Sequence, residues 1–142
     1  MVENEEFYWE LIKELQWNSV GGYNYKNKGL WLYKHYHKDV IEELSEFVTN
    51  KRRELQNRLL FYSRSWGMGD DGFWDLVAHI IGQGKHEFYN VMADPTIAKK
   101  RADKRDFKEN FQYIFHYSEE VRKLENNLKY DQSLVLDKDY YI

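Results

Sequence analysis

Residues 39–63 read DVIEELSEFVTNKRRELQNRLLFYS. Val40, Leu44, Phe47, Lys51, Leu55, Leu59 and Tyr62 recur three or four positions apart, and Ile41 and Val48 widen the stripe. Residues at that spacing share one face of an α-helix, so the stretch predicts a long helix with one buried side. Lys51 fits within the stripe by laying its methylene stem on apolar surface and reaching water with its ammonium. This segment decides the fold class: mainly α, a single helical domain over residues 1–142, of about five to six helices.

The flanks extend that reading. Towards the N-terminus, Tyr8, Leu11, Ile12 and Leu15 place a first helix over Glu5 to Trp17, with glutamates in the opening turn where the helix dipole favours them. Residues 18–36 then read as an irregular, aromatic-rich loop containing Gly21, Gly22 and Gly29. On the other side, Ser65-Trp66-Gly67-Met68-Gly69 breaks the long helix, and Asp70 or Asp71 caps the next. Phe73, Trp74, Val77, Ile80 and Ile81 form its buried face, and Gly82-Gln83-Gly84 interrupts or ends it. Lys85 to Ala93 is a short helix, stopped by Asp94-Pro95 because the residue before proline avoids helical angles. Residues 96–106 read as a charged linker or exposed helix, and Phe107 to Tyr117 as a further helix. Ser118 opens a last one bearing Val121, Leu124 and Leu128, and Ser133–Leu136 forms a short C-terminal extended segment.

Composition narrows the function classes. The chain has no Cys, which excludes a disulfide framework, a thiolate nucleophile and cysteine-based metal centres. No run approaches the roughly 18 apolar residues of a membrane span. The acidic start, Met1-Val2-Glu3-Asn4-Glu5-Glu6, is unlike the basic-then-apolar start of a signal peptide. The expectation is a cytoplasmic protein with no membrane partner. A net charge of −3 argues against nucleic-acid binding by bulk electrostatics. Twelve Tyr, eight Phe and five Trp imply a largely aromatic core, with rings left over for recognition.

Two stretches resemble a known family. Tyr8-Trp9-Glu10-Leu11-Ile12 is similar to an opening aromatic-Trp-x-Leu-Ile. Asp70-Asp71-Gly72-Phe73, continuing through Ile80-Ile81-Gly82-Gln83-Gly84-Lys85 to Phe88 and Ala93-Asp94-Pro95, keeps a characteristic separation. Together they resemble the bacterial domain of unknown function numbered 4240, DUF4240, over about residues 5–120. Val77 and His79 stand where that family carries an arginine and a tryptophan. The resemblance implies a helical fold and a bacterial source, and it implies no activity.

Three constellations can carry chemistry. In the turn around Trp66, Gly67, Met68, Gly69, Asp70, Asp71 and Gly72, the adjacent carboxylates beside Arg64 can meet a basic partner group, or can cap the helix and pair with Arg64. Asp75 and His79, four apart, can orient an imidazole for acid–base or metal work, or His79 is a satisfied structural histidine. The basic run from Lys99 to Tyr113, interleaved with rings, suits single-stranded nucleic acid or simply a solvated helix face. No nucleotide fingerprint, nucleophile elbow or metal motif is present, so no cofactor and no metal is expected.

The expectation is therefore a non-enzymatic module that binds another protein, in one concrete version an immunity or antitoxin-like protein. Tyr23, Tyr25, Trp31, Tyr33 and Tyr36 are its anchor residues, and the glutamates at 3, 5, 6, 10 and 14 form an acidic edge. The alternative is a hydrolase or metal-dependent enzyme using Asp70, Asp71 and His79, which would require a pocket that gathers all three.

Overall fold

A computed structural model describes residues 5–15, 25–104, 111 and 113–127. The fold is mainly α. Among the described residues all regular structure is helical: α1 (Glu5–Glu14), α2 (Tyr25–His35), α3 (Lys38–Ser65), α4 (Asp70–Gln83), α5 (Lys85–Ala93), α6 (Thr96–Lys104) and α7 (Tyr113–Asn127). No helix among them is long and apolar enough to cross a membrane. The proposed extended segment at 133–136 lies outside the described residues.

The chain gathers into two compact units, Met1–Tyr23 with Glu46–Phe111, and Asn24–Ser45 with Gln112–Ile142. In the first, Trp9, Leu11, Ile12, Val48, Leu55, Leu59, Leu76, Ile80, Phe88 and Val91 are all buried. Trp9 sits at the centre of its ring contacts, with Phe47 at 5.2 Å and Phe88 at 5.4 Å. In the second, Leu30 and Leu32 of α2 and Ile114, Phe115 and Val121 of α7 are buried.

Several expectations require correction. Residues 25–35 form a helix, not a loop. Gly29, which reads as a breaker, lies inside α2 because only a residue without a side chain fits against α7. A Cβ there would stand 2.8 Å from the Ile114 carbonyl oxygen and 3.2 Å from the Ser118 nitrogen. Ser118 opens no new helix: α7 runs straight through it, and its hydroxyl donates to the Gly29 carbonyl. Of the two readings of residues 96–106, linker or exposed helix, the helix holds over Thr96–Lys104. Asp94 Oδ1 accepts from the Thr96 nitrogen at 3.1 Å and its hydroxyl at 2.6 Å, so Asp94-Pro95 both closes α5 and opens α6. Neither Asp70 nor Asp71 caps α4. Gly69 holds the N-cap position without a side-chain bond, and the two carboxylates occupy the first turn, where the dipole favours them. Trp74 is 40% exposed rather than core, with the Arg52 guanidinium 4.5 Å from its ring centroid. The Gly82-Gln83-Gly84 stop holds: α4 runs through Gln83 and closes at Gly84, whose φ of 113° a side chain rarely adopts.

Lys51 does more than snorkel. Its ammonium lies 3.0 Å from Glu5, 3.2 Å from Glu54 and 5.5–5.7 Å from the ring centres of Phe47, Phe88 and Tyr89. Glu5 also accepts from Tyr89 at 2.5 Å and from the Trp9 indole at 3.2 Å. The Tyr89 hydrogen bond, with Lys51 and Trp9, draws the Glu5 carboxyl down to about 2 against the opposing effect of burial. Burial also pulls the Lys51 ammonium down, but Glu5 and Glu54 more than offset it, and its pKa ends above the ordinary value. A carboxyl depressed on folding contributes stability that is present above its ordinary value of 4.5 and is lost as pH falls from there towards 2. The group still touches water, so the contribution is about 1–2 kcal/mol after screening. Urea titrations should show that decline for the native chain, and Glu5→Gln should flatten it; an unchanged pH profile in the variant would contradict the assignment.

Candidate functional site

The second unit carries a groove of about 630 Å³. Its walls are Tyr33 and Lys34 of α2, Tyr36 and His37 of the connection, Lys38 and Ile41 of α3, and Ser118, Glu119, Arg122 and Glu125 of α7. A second depression of about 390 Å³ shares Ile41 and Glu119 with it and extends to Phe115 and His116. The volume falls within the usual range for ligand sites, about 300–1,000 Å³, but the lining is charged and phenolic where such sites are mostly apolar.

The helices place these groups by simple periodicity. Glu119, Arg122 and Glu125 stand three apart on one face of α7, and Tyr33, Tyr36 and His37 follow the same spacing off the end of α2. Arg122 holds Glu119 through two nitrogens, Nε to Oε2 at 3.1 Å and Nη2 to Oε1, a bidentate pair that lifts the guanidinium pKa further. The Tyr33 hydroxyl donates to Glu125. Burial, then that carboxylate, pushes its pKa up to about 12, so the phenol stays protonated at neutral pH. His37 begins α3: its carbonyl accepts from Val40 at 3.0 Å, and its Nδ1 accepts from the Asp39 nitrogen at 3.2 Å. That bond requires an unprotonated Nδ1, so His37 acts there as an N-cap acceptor.

Of the expected anchor residues, the structure brings Tyr33 and Tyr36 to the groove. Trp31 packs beside it, stacked on His35 at 4.7 Å and edge-on to Tyr36 at 5.8 Å. Tyr25 is turned to other use, edge-on to Tyr113 at 5.5 Å and Tyr117 at 6.1 Å. Tyr23 lies outside the described residues, as does Glu3 of the acidic edge. The rest of that edge is partly consumed: Glu5 serves Lys51 and Tyr89, and Glu6 pairs with Lys85 at 2.5 Å. Glu10 and Glu14 are exposed.

Asp70, Asp71 and His79 are not brought together. Asp70 and His79 lie nine residues apart on α4, a rise of about 13 Å and roughly half a turn in azimuth. The aspartates are exposed, whereas His79 is buried and bonded to the Gln83 amide at 3.1 Å. No three His, Asp or Glu side chains among the described residues group to hold a metal. Arg64 is exposed and makes no ion pair with either aspartate among the described residues; Trp66 stacks on Tyr62 at 6.1 Å, and Gly72 lies in the first turn of α4. Part of the basic run, residues 105–110 and 112, lies outside the described residues.

Sequence reasoning missed Lys34, Lys38, Glu119, Arg122 and Glu125. The Glu-x-x-Arg-x-x-Glu spacing at 119–125 signals a charged helix face, but nothing local says that Tyr33 lies across from it. No family model, characterised protein or solved structure matches the chain.

Proposed function

We propose that the protein is a non-enzymatic binding module whose groove takes a polar segment of another protein. The carrying observation is that the groove's reactive-looking groups are already committed to each other: Arg122 to Glu119, and Tyr33 to Glu125. A general acid or base needs a free, perturbed group at a reacting atom. Here the charges are held in fixed positions instead, which suits recognition. Tyr33 and Tyr36 supply rigid amphipathic contact area, and the exposed Lys34 and Lys38 face carboxylates of the bound segment. The finer version is an immunity or antitoxin-like protein, supported by a net charge of −3. A bacterial source and kinship with the 4240 family are consistent parts of the same proposal.

The test is affinity capture with paired baits, the native chain and the Lys34→Glu, Lys38→Glu double variant. Both lysines are exposed, so the variant should fold. A protein captured by the native chain and lost with the variant supports the groove. Equal capture by both places recognition elsewhere. A toxin as the captured protein supports the finer version.

A further inference from the structure

The groove and the depression beside it form one trough along the start of α3, from Lys38 through Ile41 and Glu42 to Ser45. They meet at Ile41 and Glu119, which line both. Seven residues of helix make that stretch about 10 Å long. Charge is not evenly spread along it. In the wider part, Arg122 and Glu119 cancel in their bidentate pair. Lys34 and Lys38 then stand against Glu125, which accepts from the Tyr33 hydroxyl, so this end is net positive. Asp39 follows Lys38 but lines neither part, and lies 3.5 Å from His37 Nδ1. In the narrower part His116 meets the Glu120 carboxylate at 3.0 Å, and Glu42 leaves this end net negative.

Two of these charges are uncommitted. Lys38 and Glu42 are exposed, and neither makes a hydrogen bond or ion pair among the described residues. Glu42 is felt by Arg122 only through space: the Glu119 bond lifts the guanidinium pKa most, and the Glu42 charge adds to it. Lys38 and Glu42 are four apart on α3, so they share a face and stand about 6 Å apart along its axis. The half-buried Ile41 lies beside them. An extended chain rises about 3.3 Å per residue and turns alternate side chains to one side, so side chains two apart stand about 6.6 Å apart. The two spacings match.

We propose that the trough takes an extended segment of the partner carrying an acidic and a basic side chain two positions apart. The acid faces Lys38, with Lys34 on the same wall, and the base faces Glu42. The stems of both charged side chains lie over Ile41. The residue between them points away from α3, so the recognised unit is a pair of opposite charges at fixed spacing. A segment with two acids is rejected, because its second carboxylate would meet Glu42; a segment with two bases is rejected by Lys38. The inference rests on the groove being a binding site, and it names what the groove selects.

Selection of phage-displayed random linear peptides on the full native chain tests this. The enriched peptides should share an Asp or Glu and a Lys or Arg two positions apart. For the strongest of them, made synthetically, Tyr36→Ala and Lys38→Glu should each weaken binding at least about tenfold, with the thermal unfolding of the protein unchanged. Exchanging the peptide's acid for lysine should restore binding to Lys38→Glu, and exchanging its base for glutamate should restore binding to Glu42→Lys. Peptides weakened by Tyr36→Ala that lack the charge pair, or that recover on neither exchange, would overturn this inference and leave the groove reading standing. Peptides indifferent to Tyr36→Ala would bind elsewhere and overturn both. A selection that enriches no peptide would also overturn the inference.

Discussion

Gly29→Ala is expected to destabilise the protein by about 2 kcal/mol and to abolish binding through the groove. In an ordinary helix interior the change would stabilise by about 0.5–1 kcal/mol, because alanine is the better helix former. Contact decides the sign here. The added methyl would lie 2.8 Å from the Ile114 carbonyl oxygen, 3.0 Å from the Tyr117 ring and 3.2 Å from the Ser118 nitrogen. Two of those three are backbone atoms of α7 and cannot swing aside. Relief requires α2 to move off α7, which also breaks the bond from the Ser118 hydroxyl to the Gly29 carbonyl. Gly72→Ala is the control, since the nearest atom is the mobile Met68 methyl at 3.6 Å. Urea unfolding of the two variants should give opposite signs or a neutral control, and hydrogen exchange in α2 and α7 should rise only in Gly29→Ala. Equal behaviour of the two would contradict the close approach.

The larger loss is expected for Phe88→Ala, about 3–5 kcal/mol. Phe88 is fully buried, with its ring 4.9 Å from Tyr89 and 5.4 Å from Trp9, and it forms one wall around the Lys51 ammonium. Truncation leaves a cavity and also exposes Lys51 and Glu5 to water, which loosens a pair held in low-dielectric surroundings. The expected fall in Tm exceeds about 10 °C. Phe61→Ala, the same chemical change on a ring in water, should move stability by less than about 0.5 kcal/mol. Similar losses for both would mean that burial along α3 and α5 is misassigned.

These cases show which features periodicity could reach. The long helix was legible because Val48, Leu55 and Leu59 repeat along one side of it over several turns. The helix at 85–93 was legible because Gly84 and Asp94-Pro95 bracket it. Helix α2 was not, because its glycine and charged residues look like a loop until the close partner is known. Gly29 is helical through an approach to residues some 85 positions away, and no local pattern carries that. Trp74 and Phe61 show the converse limit: an apolar residue at helical spacing need not face the core.

The candidate site was half legible for the same reason. Of the ring-rich stretch between Tyr23 and Tyr36, Tyr33 and Tyr36 line the groove. Arg122, Glu119 and Glu125 come from the far end of the chain and could be matched to Tyr33 only in three dimensions. The Asp70, Asp71 and His79 set failed on geometry that helix arithmetic already contains: nine residues along one helix separate side chains rather than gather them.

The most direct measurement is a calorimetric titration of the captured partner into the native chain and into a Tyr36→Ala, Lys38→Glu variant. Both residues line the groove, and neither is fully buried. The groove reading requires at least about a tenfold loss of affinity, near 1.4 kcal/mol, with the thermal unfolding of the variant unchanged. Equal affinities for the two chains would contradict it.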